Sequence, residues 1–201
     1  MTLLERKIEA DKWFYSDDQF NQLYPVPMRE LASMHWTPLH DAHKVANFLE
    51  AEQNVKVLDI GSGVGKFCLG AAYYRPAAFY YGSEQRKNLA HYANAAKEML
   101  GFKNVAFVHG NFTQLNFRDY DHFYFYNSFY ENLAGTDKID NSISYSGELY
   151  NYYNRYLSQQ LEGMPAGTKL ATFCSLEDEI PGSYREVNSE FDNLLKYWIK
   201  I

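Results

Sequence analysis

The sequence predicts an α/β fold: a mostly parallel seven-stranded sheet with an antiparallel edge hairpin and a helical N-terminal extension. Three observations carry this prediction. From Val55 onward, short β-branched or aromatic runs alternate with helix-length segments, the pattern that feeds parallel strands through right-handed crossovers. The first of these runs ends in a glycine-rich turn, Gly61-Ser62-Gly63-Val64-Gly65. The last two strand-like runs have little helix between them, which suits an antiparallel hairpin.

Residues 3–15 and 38–51 both carry helix-like apolar spacing, and in the second Leu39, Ala42, Val45, Ala46 and Leu49 form one stripe. Thr37 before Pro38 reads as an N-cap with proline in the first turn. Between these helices, Tyr24-Pro25-Val26-Pro27 reads as a rigid, non-helical connector, because proline fixes φ and restrains its predecessor. Val55–Ile60 reads as a buried strand, 64–75 as a helix and Ala78–Ser83 as a second strand. A long helix then runs through Leu100 and is closed by Gly101. Asn104–His109 and His122–Asn127 read as strands three and four, Glu148–Leu161 as a helix, and Thr168–Cys174 as strand five. Tyr184–Val187 and Leu194–Ile201 complete the set as the hairpin. No repeat, linker or low-complexity segment interrupts the chain. The expected organisation is one domain over 1–201, with 1–51 as the extension and 52–201 as the core.

The formal charge of −6, from 19 basic and 25 acidic residues, gives no electrostatic help with a polyanion, so a nucleic-acid partner is disfavoured. Cys68 and Cys174 are the only cysteines. They offer neither a disulfide framework nor zinc-ligand spacing, and His35, His40 and His43 do not combine with acids into a metal site, so no metal is expected. Charge at Glu5, Arg6 and Lys7 interrupts the start before any signal-peptide core, and no apolar run approaches the ~18 residues of a membrane span. The expectation is a cytoplasmic protein without membrane association. The 18 tyrosines and 14 phenylalanines, dense between Tyr120 and Tyr156, form either an aromatic core or the wall of a substrate pocket.

The glycine turn follows a strand that carries Asp59 and precedes a helix. Glycines there permit positive φ and a close backbone approach, and the helix start offers free N–H groups to an anionic group. Three nucleotide loops compete. A phosphate-binding loop needs an earlier glycine where Ile60 stands and a hydroxyl where Phe67 stands. A dinucleotide loop needs its third glycine where Lys66 stands, so an NAD(P)-dependent oxidoreductase is a weak alternative. The remaining pattern, acid-x-Gly-x-Gly-x-Gly over Asp59–Gly65, suits an adenosyl cofactor. Glu84, ending the second strand, can accept hydrogen bonds from both ribose hydroxyls or simply cap the next helix. Asn111 and Phe112, after the third strand, can hydrogen-bond to and stack on an adenine.

On these residues the chain resembles the class I, seven-strand S-adenosylmethionine (SAM)-dependent methyltransferases, which have a Rossmann-like sheet. More narrowly, it is similar to the non-SET histone-lysine methyltransferases and their small bacterial relatives. The resemblance rests on Asp59–Gly65, Glu84, Gly110-Asn111-Phe112 and Asn127 within Tyr126-Asn127-Ser128-Phe129, and spans about residues 35–175. It implies SAM as cofactor, held by Thr37, Asp59, Gly61, Ser62, Gly63, Gly65, Lys66, Glu84, Asn111, Phe112 and Asn127. Where the family carries Asp, Gln and Tyr, this chain has Asn111, Lys66 and Met34. The acceptor end should be Asn127-Ser128-Phe129-Tyr130-Glu131, with Asn127 and Tyr130 as catalytic candidates. It partly matches the Asn-Pro-Pro-Tyr signature of amino-group methyltransferases, so the expected acceptor is an amine on a protein or small molecule. Asn127 reads equally as a strand-end turn cap, and His109 as a base or a structural histidine. A SAM-binding module without catalysis is the second functional reading. Neither the acceptor nor the oligomeric state is encoded in these motifs.

Overall fold

In the computed structural model, residues 11–50, 52–175 and 179–201 are described. Seven strands form one sheet in the order β3-β2-β1-β4-β5-β7-β6: β1 Lys56–Ile60, β2 Phe79–Glu84, β3 Val105–His109, β4 His122–Tyr126, β5 Lys169–Phe173, β6 Tyr184–Glu190 and β7 Leu195–Lys200. The first five pair in parallel, and β7 runs antiparallel between β5 and β6. This is the predicted seven-stranded, Rossmann-like architecture with its edge hairpin.

Strand order reverses at β1, which lies between β2 and β4, with Asp59 in register with both Gly82 and Tyr124. Connections leave that point in opposite directions and open a crevice at the carboxyl ends of the strands. The interior residues of β1 are buried on both faces, as its continuous Val-Leu-Asp-Ile run requires.

The two faces are covered differently. One carries α4 (Leu39–Leu49), α5 (Lys66–Tyr74) and α6 (Lys87–Leu100), whose Leu, Ala and Val side chains join Val57, Tyr80 and Tyr124 in one cluster. On the other lies α7 (Gly147–Glu162), with single 3₁₀ turns at Phe112–Gln114 and Phe117–Asp119. Here Phe112, Phe117, Phe123, Phe125 and Phe129 dominate. Much of the aromatic excess is therefore core.

The N-terminal extension departs from the sequence reading. Of the helix expected over 3–15, residues 1–10 lie outside the described residues, and Lys12–Phe14 is a 3₁₀ turn. Three short helices follow: α1 Asp17–Asn21, α2 Val26–Arg29 and α3 Ala32–His35. The prolines expected to exclude helix instead start α2. Pro25 is its extended N-cap and Pro27 sits in the first turn, where a missing N–H costs nothing. Thr37 is not the N-cap of α4. Pro38 holds that position, and the threonine hydroxyl is engaged elsewhere. Among the described residues, no helix is long and apolar enough to cross a membrane.

Candidate active site

A cavity of about 370 Å³ opens at the switch point, over the carboxyl ends of β1, β2 and β4. The glycine loop forms its floor. Gly61, Gly63 and Gly65 have φ of +79°, +55° and +84°, values open to glycine and costly for other residues. Two of them are also sterically required. A Cβ on Gly61 would lie 2.3 Å from Ser128 Oγ, and one on Gly65 would lie 2.3 Å from the Phe107 ring. At Gly63 a Cβ would meet open space, so this glycine leaves room above the loop.

Glu84 is buried at the end of β2. One oxygen accepts the Gly63 N–H at 3.0 Å and the other accepts the Arg86 N–H at 2.7 Å. Burial pushes its pKa up, and the two backbone donors and the Arg86 guanidinium partly offset this. Asn111 caps the 3₁₀ turn after β3 by accepting the Thr113 N–H, and its amide donates to Tyr153 Oη at 2.9 Å. Phe112 stacks on Phe129, with ring centroids 5.0 Å apart, leaving it as a cavity wall. Asn127 follows β4 with a left-handed φ of +35°, and Ser128 Oγ donates to the Ile60 carbonyl at 2.6 Å. Tyr130, half exposed, stands at the rim.

Gly61, Gly63, Glu84, Asn111, Phe112, Asn127 and Tyr130 thus converge on one cavity. Thr37, Asp59, Ser62 and Lys66 do not line it. They surround a smaller chamber of about 30 Å³ that shares His35, Trp36, Gly61 and Tyr126 with the cavity wall. Thr37 Oγ1 is 2.8 Å from Tyr124 Oη. Asp59 is buried, with the Cys68 thiol 3.6 Å from its carboxylate, and burial pushes its pKa up to about 8. Lys66 points at the extension. Gly65 lines neither space and serves packing. His109 is exposed at the end of β3, away from the cavity.

Arg86 was not foreseen. Its buried guanidinium contacts Glu131 at 2.5 Å, Tyr145 Oη at 2.8 Å and Asp140 at 3.4 Å, fastening the loop after β4 to the end of β2. Only the folded loop brings these partners together across 45 to 59 residues, so no local sequence signal marks them. His35 also lines both spaces. Burial lowers its pKa, the neighbouring Glu131 and Asp137 raise it, and Arg86 lowers it further.

Comparison with known proteins agrees with this geometry. A methyltransferase-domain family matches residues 51–146, which include the glycine loop, Glu84, Asn111 and the loop after β4. A curated relative, a tRNA (guanine-N(7)-)-methyltransferase of Microcystis aeruginosa, is 46% identical over 54 residues. That stretch is 27% of this chain, and the chain spans about a quarter of the relative's length (26%). Among solved structures, TrmN from Thermus thermophilus superposes with a TM-score of 0.60 at 15% identity, over 87% of this chain and 52% of its own. An O-methyltransferase from Thermotoga maritima gives 0.56 at 15%, over 88% and 72%. An RNA methyltransferase from Salinibacter ruber, in complex with S-adenosylhomocysteine, gives 0.53 at 18%, over 81% and 89%. At these identities the superpositions speak for the fold. They do not single out the histone-lysine methyltransferases. Residues 51–146 thus resemble a methyltransferase domain, and the sheet that carries them has the Rossmann-like, seven-stranded fold of these neighbours.

Proposed function

We propose that this chain is a SAM-dependent methyltransferase that binds its cofactor between the glycine loop and Glu84 and receives its acceptor at the Asn127–Tyr130 end. The observation that carries the reading is the meeting of the Gly63 N–H and the Glu84 carboxylate at the floor of one cavity. The residues present fit an adenosyl group. A buried carboxylate can accept from ribose hydroxyls, Phe112 presents a wall for a base, and a chain backbone free of Cβ atoms leaves room for close approach. The buried Ser83 hydroxyl, in the cavity lining, has no partner among the described residues, and a polar ligand would satisfy it.

When bound, SAM supplies an activated methyl group. The chain's own residues bind and orient. Glu84 and Asn111 fix the nucleoside end, while Tyr126, Phe129 and Tyr130 exclude water at the acceptor end. Asn127 offers an amide oxygen that can accept from an acceptor N–H. We read the acceptor as an amine on a protein or small molecule. The curated relative's tRNA substrate speaks for RNA instead, against the acidic balance of this chain. A SAM-binding module without catalysis is the alternative reading.

Calorimetry with S-adenosylhomocysteine, with NAD as control, tests the cofactor. Saturable binding is expected in wild type, weakened about tenfold or more in Glu84→Gln through lost charge-assisted hydrogen bonds. A preference for NAD sinks the proposal. Transfer of labelled methyl from SAM to a panel of amines, basic proteins and tRNA then identifies the acceptor, and transfer to none of them favours the non-catalytic module.

A further inference from the structure

We propose that Lys66 is a positioning residue that locks residues 17–37 against the glycine loop, so that docking of this segment and cofactor binding are coupled. The inference rests on the cofactor reading above and adds a role for the extension.

Lys66 opens α5 directly after Gly65, yet its ammonium turns away from the main cavity. The side chain is 4% exposed and its Nζ reaches Asp17 Oδ1 at 2.5 Å and Asn21 Oδ1 at 3.0 Å, both on α1. It also lies over the rings of Phe20 and Trp36, at 5.5 and 5.7 Å from their centroids. The same Asp17 oxygen accepts the Leu39 N–H at 3.0 Å. One carboxylate therefore joins α1, α4 and α5. A second tie reaches the glycine loop itself, where the buried Tyr24 hydroxyl donates to the Val64 carbonyl at 2.9 Å.

The segment needs such ties. Its helices are five, four and four residues long, far below the length that is stable alone. Its far end supplies Leu31, Met34, His35 and Trp36 to the cavity wall, and Met34 is tied there by the Tyr126 hydroxyl at 3.2 Å. A ligand that fills the cavity binds the docked segment better than the undocked one. It then stabilises docking, and docking raises its affinity by the same factor.

The test compares wild type, Lys66→Met and Asp17→Asn by hydrogen exchange, with and without S-adenosylhomocysteine, alongside calorimetric affinity. Methionine keeps the apolar stem between Phe20 and Trp36 while removing the ammonium, and unchanged exchange in β1 and β4 verifies that the sheet stays folded. In the free protein, Lys66→Met should speed exchange across residues 17–37 about tenfold, with affinity falling by a similar factor. Asp17→Asn should do the same although Asp17 lines no part of the cavity, and in wild type the ligand should slow exchange in 17–37. Unchanged exchange in Lys66→Met overturns the proposal. So does weakened affinity with unchanged exchange, which would make Lys66 a direct cofactor contact. If wild type binds no S-adenosylhomocysteine, the cofactor reading and the coupling fall together, while exchange in the free proteins still decides whether Lys66 locks the segment.

Discussion

At the ends of β1 and β2 the cavity wall is built on backbone: glycines at positive φ, an N–H held by Glu84, and Gly61 kept small by Ser128, with Gly65 packed against Phe107 outside the cavity. At the end of β4 it is side chains in an irregular loop, fastened from a distance by Arg86. Under the proposed function, the first half would hold the cofactor, which is the same in every methyl transfer, and the second would fit one acceptor. A backbone-built half tolerates little substitution, because each glycine is fixed by geometry. A side-chain half can be rebuilt without disturbing the sheet beneath it.

The strongest way to break this contrast is Gly65→Ala. The residue would be placed at φ +84° with its Cβ 2.3 Å from the Phe107 ring and 3.1 Å from Ala93 Cβ. Left-handed strain of about 1–2 kcal/mol and overpacking of about 1–3 kcal/mol should combine to roughly 4 kcal/mol of lost stability, read as a lower urea midpoint. An unchanged midpoint would mean that the loop can move, and the backbone half would not be rigid.

Arg86→Ala tests the fastening of the other half. It leaves Glu84 and Glu131, both largely buried, without their shared cation. Breaking a buried pair from one side typically costs about 3 kcal/mol. The loss should appear in thermal unfolding, and exchange in residues 131–146 should rise while β3 stays protected. If exchange rises equally throughout, Arg86 is a general stabiliser and does not fasten the loop.

The same contrast governs what could be read in advance. The sheet, its order of strands and helices, the glycine loop and Glu84 were legible because period and glycine spacing are local properties. Asn111, Phe112 and Asn127 each follow a strand, and that position is what puts them in the cavity lining. Thr37 was misread as a helix cap, since its bond to Tyr124 spans 87 residues. Pro25 and Pro27 were misread because a helix of four residues can hold prolines wholly within its first turn. Lys66 was expected at the cofactor and faces the extension, a matter of side-chain direction that spacing does not specify. Arg86 lay beyond any motif for the same reason that Thr37 did.

Asp59 gives an effect of defined sign that depends on pH. Its folded pKa, pushed up to about 8 by burial, exceeds the ordinary carboxylate value near 4, so between those values the folded state holds a proton that the unfolded chain has released. Stability therefore falls as pH rises from about 4 to about 8, by at most about 1.4 kcal/mol per pH unit. Glu84, raised in the same direction, adds to the slope. Asp59→Asn should flatten it, so that the variant matches wild type below about pH 4 and exceeds it at pH 8.5 in urea midpoint. Parallel curves for the two proteins would show that Asp59 ionises normally.

The smallest change in stability is expected at Asn127, where the two halves differ most in what a substitution removes. Its φ of +35° is one that glycine adopts without strain, and Asn127 is bonded at this turn through its backbone carbonyl, which accepts the Tyr130 N–H at 3.1 Å. Asn127→Gly keeps that bond and deletes only the side chain, so stability should change by no more than about 0.5 kcal/mol, relief of strain offsetting the added flexibility of the unfolded chain. Affinity for S-adenosylhomocysteine should hold if the amide serves the acceptor, while methyl transfer falls about a hundredfold as the acceptor loses its orienting partner. Should affinity fall with transfer intact, Asn127 belongs to the backbone-built half, and the boundary between cofactor and acceptor lies further along the β4 loop, toward Tyr130.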